Sequence, residues 1–363
     1  MFDLELTEDQ KLVQETVASF ARAEIRPAAR DADETGTIPS HLAEKGYELG
    51  LVSSAIPEEH GGFGEQRSAV TGAIVLEELG WGDLSIALQL LAPRLVVYPL
   101  LEAGTPEQRA KLLPAFAKGY RAATAAVVEP RFDFDTVEFA TTATPQNGGF
   151  VLNGTKCFVP LAAESETLLV VAQQGEGPAA FLVDRNTPGV TVSEREKNMG
   201  LKALPTYEVT FENVRLPAEA RLGGERGADV ERLLNLSRIA LGSLAVGVAR
   251  AAFEYARDYA KERKAFGVAI AQKQAIAFML AEMAIEIDAT RLLLWEAAWM
   301  LDKGLPATRE AVLAKRYASN MVLKVTDNAV QVLGGHGYVR DHPVELWLRN
   351  ARGFTSFEGM AIV

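Results

Sequence analysis

Apolar residues recur at helical spacing through the first third of the chain. Leu12, Val13, Val17, Phe20 and Ala21 fall on one helical face. Thr7 stands three residues before Gln10 with Glu8 and Asp9 between them, which has the form of a capping box at a positive helix end. The same spacing predicts helices over 40–50, 68–80, 84–103 and 106–118, with Gly61-Gly62-Phe63-Gly64 as a loop. Near residue 120 the period changes. Short apolar runs at Ala122–Val128, Phe150–Leu152, Leu168–Ala172, Ala179–Val183 and Val190–Val192 lie between turn signals, and Tyr207, Val209 and Phe211 alternate with polar residues as a half-buried strand does. Asn147-Gly148-Gly149 and Asn153-Gly154 read as turns. From about 226 the helical period returns over Ile239–Ala260, Gln274–Leu301 and Thr308–Leu333, long enough and apolar enough for a bundle that also packs on another subunit.

The order is therefore helices, strands, helices. It predicts an α+β chain of three domains: an N-terminal helical domain (1–119), a central antiparallel β domain (120–225) and a C-terminal four-helix bundle (226–363).

Composition narrows the chemistry. A net charge of −11 disfavours a nucleic-acid binder, which needs clustered positive charge. Cys157 is the only cysteine, so an intrachain disulfide and a cysteine-built zinc site are excluded. His41, His60, His336 and His342 show no HxH or HxxxH spacing, so no metal site is expected. Met1 to Gln10 is acidic and lacks a basic-then-apolar leader, and Leu84–Leu101 is interrupted by Pro93, Arg94 and Pro99; a cytoplasmic chain without membrane insertion is expected. No GxGxxG follows a strand, and GxxxxGK[ST], GxSxG and HExxH are absent, which removes the common nucleotide and hydrolase classes.

The motifs that are present resemble the acyl-CoA dehydrogenase family over nearly the whole chain. They are Ile56-Pro57-Glu58-Glu59-His60-Gly61-Gly62-Phe63-Gly64, Glu77-Glu78-Leu79-Gly80, Val128-Glu129-Pro130, Asn153-Gly154-Thr155-Lys156 and Met199-Gly200-Leu201-Lys202. Later come Arg238, Tyr259 to Gly267, Gln272-Lys273-Gln274, Gln331 to Tyr338 and Phe357-Glu358-Gly359. The resemblance implies FAD held between the β domain and the bundle, a tetramer, an acyl-CoA substrate losing hydrogens from Cα and Cβ, and an electron-transfer flavoprotein as acceptor.

It also implies roles. Glu358 matches a family position for the base that takes the α-proton, worth roughly 10²–10⁴-fold in rate. Its backbone N–H is one implied donor to the thioester carbonyl. Phe354, Phe357 and Met360 are expected to desolvate it, which raises a carboxyl pKa. By spacing alone Glu358 reads more readily as a solvated glutamate near a frayed terminus, and the family resemblance reverses that order. Arg263, Phe266, Gln274, Gln331, Gly334 and Gly335 match positions that hold flavin across a subunit interface; otherwise the charged run is a helix face and the glycines a cap. Val128, Phe158 and Pro160 match the flavin-facing positions of the β domain. Arg238, Gly359, Ala87 and Leu91 match the acyl-CoA site, although Ala87 and Leu91 read more readily as ordinary core.

The departures concentrate in the β domain. Val128 stands for a threonine, Arg131-Phe132-Asp133-Phe134-Asp135 for a small Gly/Ser-rich turn, Pro160 for a hydroxyl residue, and Leu204 for a serine. Each lost hydrogen bond costs ~0.5–1.5 kcal/mol of flavin binding. Asn350 replaces an aspartate and Met360 a threonine, and only a short segment follows Glu358, where the family continues through a helix. Two further readings stay open. One is a non-catalytic or half-site subunit paired in a heteromer with a homologous chain, and the other is a flavoprotein of this fold acting on a non-CoA substrate.

Overall fold

The computed structural model describes residues 5–363, so the first residues of the acidic stretch Met1 to Gln10 lie outside the described residues. Helix α1 (Glu8–Phe20) starts at the capping box: Thr7 Oγ1 accepts the Gln10 N–H at 3.2 Å and the Gln10 side chain accepts the Thr7 N–H at 3.0 Å. One π turn (Ala21–Ile25) leads into α2 (Arg26–Thr35). Val17 and Phe20 are buried, whereas Leu12 and Val13 face outward.

Next come α3 (Ser40–Glu48), α4 (Ala69–Gly82), α5 (Leu84–Leu91), α6 (Arg94–Ala103) and α7 (Pro106–Phe116). The segment expected as one helix over 84–103 is two, bent by 45°. Pro93 sits at the break and has no N–H with which to continue the ladder.

The sheet holds β1 (Ala123–Ala126), β2 (Thr142–Gln146), β3 (Gly149–Pro160), β4 (Thr167–Gln174), β5 (Gly177–Asp184), β6 (Val190–Val192) and β7 (Thr206–Pro217). Their order is β1-β4-β2-β3-β7-β6, with β5 on the other side of β4. Most neighbours are antiparallel, but β1 and β2 each meet β4 in parallel. The reason is connectivity: β1 reaches β4 only after a long loop and the β2–β3 hairpin, and that path permits a parallel neighbour. Asn147 and Gly148, both at positive φ (51° and 78°), make the β2–β3 turn. Asn153-Gly154 is no turn. It is a bulge inside β3, where the register against β7 slips and a Cβ on Gly154 would lie 2.5 Å from Thr141 Cα.

The last domain holds α8 (Val230–Glu262), a hairpin of β8 (Lys264–Ala265) and β9 (Val268–Ala269), α9 (Gln274–Asp302), α10 (Thr308–Leu333), α11 (Gly335–Tyr338) and α12 (Val344–Ala351). Three long helices and the short α12 form the bundle. Gly334 and Gly335 both end α10 and open the single turn of α11. Helix α8 is long and apolar enough to cross a membrane, yet 89% of its most apolar window is buried against the rest of the chain, as in a core helix.

Helices α4 and α8 approach almost backbone to backbone. A Cβ on Gly247 would fall 2.1 Å from Glu77 O, and one on Gly80 would fall 2.6 Å from Leu244 O. Charges seal this contact: buried Glu77 binds Arg250 at 2.8 Å and Arg291 of α9 at 2.9 Å, and Glu78 binds Arg250. Buried carboxylates persist only when paired in this way.

Gly247→Ala tests the contact. Alanine gains ~1 kcal/mol of helix propensity, but overpacking costs ~1–3 kcal/mol, and a methyl against a carbonyl belongs at the upper end. Urea unfolding should show a net loss of stability. A more stable variant would mean that the helices separate freely.

Candidate active site

The sheet side of the site is organised by two side chains that do not reach solvent. Lys156 of β3 is 0% exposed and Glu129, just after β1, is 4% exposed. Lys156 Nζ binds Glu129 Oε1 at 2.9 Å and Val127 O at 3.0 Å, and stands 4.5 Å from the Phe139 ring centroid. Glu129 also accepts the N–H groups of Ala140 (2.7 Å) and Thr141 (2.8 Å). Burial pushes the Glu129 carboxyl upward, but Lys156 and the two amides outweigh it and hold it below the ordinary value. Burial lowers the Lys156 ammonium to about 8, with Glu129 opposing. The pair fastens the exit of β1 to the middle of β3. Cys157 N–H then reaches Val128 O at 2.9 Å, and Phe158 takes a left-handed φ of 52° with its N–H on Glu196 Oε1 at 3.2 Å.

Opposite this wall lies the chain after α12. Phe354, Phe357 and Met360 are buried and anchor it. Gly359, at φ +67°, packs where a Cβ would fall 2.3 Å from Val127 Cγ2. That contact seats Glu358 across from the sheet. Between the walls runs a cleft of about 550 Å³ lined by residues that include Val128, Phe134, Thr136, Cys157, Phe158 and Glu358. Glu358 Oε1 is held by Lys315 Nζ of α10 at 2.8 Å, while Oε2 is buried without a hydrogen-bond partner. Burial raises the Cys157 thiol to about 11, so it stays protonated at neutral pH.

The structure gathers some of the residues singled out in the sequence and disperses others. Glu358, Val128 and Phe158 share the cleft. Pro160 is buried at the far end of β3, paired with Thr206, outside the cleft lining. Ala87 and Leu91 are fully buried in α5 and do not line the cleft. Arg238 is 8% exposed, and its guanidinium is taken up by Asn235 Oδ1 (2.6 Å) and Thr136 Oγ1 (2.7 Å), which pins the 131–138 loop to α8. Arg263, Phe266, Gln274, Gln331, Gly334 and Gly335 are exposed near the ends of the bundle helices. Phe266 is 94% exposed at the tip of the β8–β9 hairpin, with φ 54°. Tyr259 OH meets His336 Nδ1 at 2.7 Å and so joins the end of α8 to the Gly334-Gly335 turn.

Lys315 escaped the sequence reading. Its signal was a lysine beside the buried alanines 311, 314 and 318 of α10, a face that otherwise carries no charge. Glu196, behind Phe158, carried no local signal. The desolvation expected around Glu358 from its aromatic neighbours is accompanied by an opposite charge in direct contact.

The cleft fits a flat ring system. Val128, Pro130, Phe134 and Phe158 give it apolar surface, Arg131, Asp135, Thr136 and Ser356 give polar lining, and Glu358 Oε2 is buried beside it without a hydrogen-bond partner.

Three family models match in succession: acyl-CoA dehydrogenase N-terminal domain over 7–120, middle domain over 124–214 and C-terminal domain over 226–361. An acyl-CoA dehydrogenase of Bacillus subtilis (strain 168) is 36% identical over 98% of this chain and 96% of that protein. Among solved structures, one described as the electron transferring flavoprotein of Acidaminococcus fermentans superposes with a TM-score of 0.88 at 33% identity, covering 99% of this chain and 96% of that one. An FAD complex of PigA superposes with a TM-score of 0.89 at 26% identity over the same shares.

Lys156→Met takes the closest cation from buried Glu129 and leaves it the two amides and Arg131 at 3.6 Å, which should cost ~3–5 kcal/mol in denaturant unfolding, with Glu129→Gln/Lys156→Met recovering part of it. The depressed Glu129 pKa contributes stability above its unfolded value, lost as pH falls through the folded one. Without Lys156 the amides oppose burial with less help, the Glu129 carboxyl rises, and acid unfolding should begin at higher pH. An unchanged acid limb would show that the pair is not the anchor.

Proposed function

The chain belongs to the acyl-CoA dehydrogenase family of flavin oxidoreductases, and from that premise we propose that it removes hydrogens from Cα and Cβ of an acyl-CoA thioester, with FAD as cofactor and Glu358 as the base for the α-proton. The observation that carries this reading is Glu358 Oε2, a buried carboxylate oxygen with no hydrogen-bond partner, on a residue that lines the cleft with Val128, Phe134 and Phe158. When bound, FAD supplies the acceptor at N5 for the hydride leaving Cβ. The chain's own residues do the rest. Glu358 Oε2 takes the proton from Cα, its backbone N–H supports the thioester carbonyl, and Val128, Phe134 and Phe158 exclude water from the reacting face. Arg238 acts on the substrate side by fixing Thr136 and the loop that borders the cleft.

Arg263, Phe266, Gln274, Gln331, Gly334 and Gly335 are exposed on the single chain, which suits groups that meet a flavin carried by a second subunit. Exposed Phe278, Ile285 and Leu292, one heptad apart on α9, favour assembly with further copies, a tetramer in this family. The similarity to a chain from a structure concerned with an electron transferring flavoprotein supports a partner of that kind as electron acceptor.

One observation favours the alternative of a half-site subunit in a heteromer. Val128 carries no hydroxyl, Pro160 lies outside the cleft lining, and the Phe158 N–H is already spent on Glu196. The sheet wall therefore holds a flavin by packing more than by hydrogen bonds.

Flavin content of the purified protein separates the two readings: about one FAD per chain is expected, and little or none after added FAD would favour the half-site subunit. In the loaded protein Glu358→Gln should keep its flavin but slow its bleaching by acyl-CoA roughly 10²–10⁴-fold; bleaching at the wild-type rate would remove the base assignment. Arg263→Ala should lower FAD retention, and full retention would return Arg263 to an ordinary surface role.

A further inference from the structure

Glu358 has two carboxylate oxygens in two environments. Oε1 receives the Lys315 ammonium at 2.8 Å, and the two side chains keep only 12% and 17% of their exposure. Oε2 has no partner and is shut off from bulk water. The Lys315 backbone is held in place. It stands mid-helix on α10, and its carbonyl receives the Ser319 hydroxyl (2.9 Å), which also lies 3.1 Å from Phe354 O of the segment that carries Glu358. The lysine and the glutamate are thus braced against each other at two points, side chain to side chain and through Ser319.

We propose that Lys315 is the positioning residue of the reaction: by occupying Oε1 it leaves Oε2 as the single atom that receives the α-proton and fixes the carboxylate plane across the cleft. The inference rests on Glu358 being the base. A glutamate has three soft side-chain torsions, which the packing of the Gly359 backbone on Val127 leaves unfixed. A charge-assisted bond at this distance removes most of that freedom before substrate arrives, and displacement of a reacting group by about 1 Å costs ~10²-fold in rate. The proton balance is simple. The Cα–H bond breaks, an O–H bond forms on Oε2, and hydride leaves Cβ for the flavin. Lys315 keeps all its protons and stays bound to Oε1, turning from partner of a carboxylate to partner of a carboxylic acid.

The test is Lys315→Met in FAD-loaded protein, read by rapid mixing with acyl-CoA. The limiting rate of flavin bleaching should fall ~10–100-fold while the substrate concentration for half-saturation moves less than ~3-fold. Lys315→Arg, which keeps a charged donor, should recover most of the rate. A merely structural lysine would lower melting temperature or flavin content and leave the rate per bound flavin unchanged. That result, or a loss confined to half-saturation, overturns the proposal. Lys315→Gln carries the same test if the methionine variant does not accumulate folded. Glu358→Gln run alongside keeps the two ideas apart: full activity there defeats the base, whereas an inactive Glu358→Gln beside a fully active Lys315→Met defeats only the positioning role.

Discussion

A lysine ammonium with no access to water has to be neutralised where it stands, and in this protein that requirement shapes the sheet side of the cleft. Lys156 reaches Glu129 Oε1 and Val127 O together, so three consecutive residues after β1 are placed relative to β3. The two amides of Ala140 and Thr141 fill the rest of the carboxylate. Solvation that two isolated buried ions would forfeit, several kcal/mol each, is replaced by fixed partners. Val127 is then rigid enough to receive Gly359, and that contact decides where Glu358 stands. The sheet's internal ion pair and the proposed base lie on one line of contacts: Lys156, Val127, Gly359, Glu358.

The other end of that line is held from the bundle. Glu77 and Glu78 of α4 bind Arg250 of α8, and Glu77 also binds Arg291 of α9, while glycines bring α4 and α8 into backbone contact. The N-terminal helices and the bundle thereby share one core. Helix α10 packs on α8 within that core, so Lys315 reaches Glu358 from a scaffold that cannot drift relative to the sheet. A second charged junction repeats the device: Asp33 of α2 binds Arg349 of α12 at 2.7 Å, and Asn350 Oδ1 accepts the Leu201 N–H at 2.8 Å, tying α12 to the loop before β7. Asn350 in place of an acid keeps that acceptor and needs no counter-ion.

What could be read from the sequence follows from how far each cause reaches along the chain. The α1 capping box, the span of α10 and the alternation in β7 are set by neighbours a few residues away, and each is found where the pattern puts it. Asn153-Gly154 carries the composition of a turn, but its glycine serves close approach to Thr141, which local sequence does not display. The parallel placing of β1 depends on chain path. Val128-Glu129-Pro130 and Asn153-Gly154-Thr155-Lys156 were visible as two separate markers; that their charged members are partners appears only when the strands are side by side. Lys315 and Glu358 are further apart in sequence, and the pairing is again a product of the fold.

The two walls of the cleft divide the chemistry, and this explains why the departures fall where they do. The bundle wall holds the Lys315–Glu358 pair, whose geometry a single changed residue would disturb. The sheet wall presents Val128 and Phe158 to the cleft, and their place is set from behind by the Lys156–Glu129 pair and by Glu196, not by groups in the cleft itself. Hydroxyls can be lost from that face without loosening the anchor. What Val128 and Phe158 offer a ring is apolar contact, while the charges of Arg131 and Asp135 line the same cleft from the loop after β1.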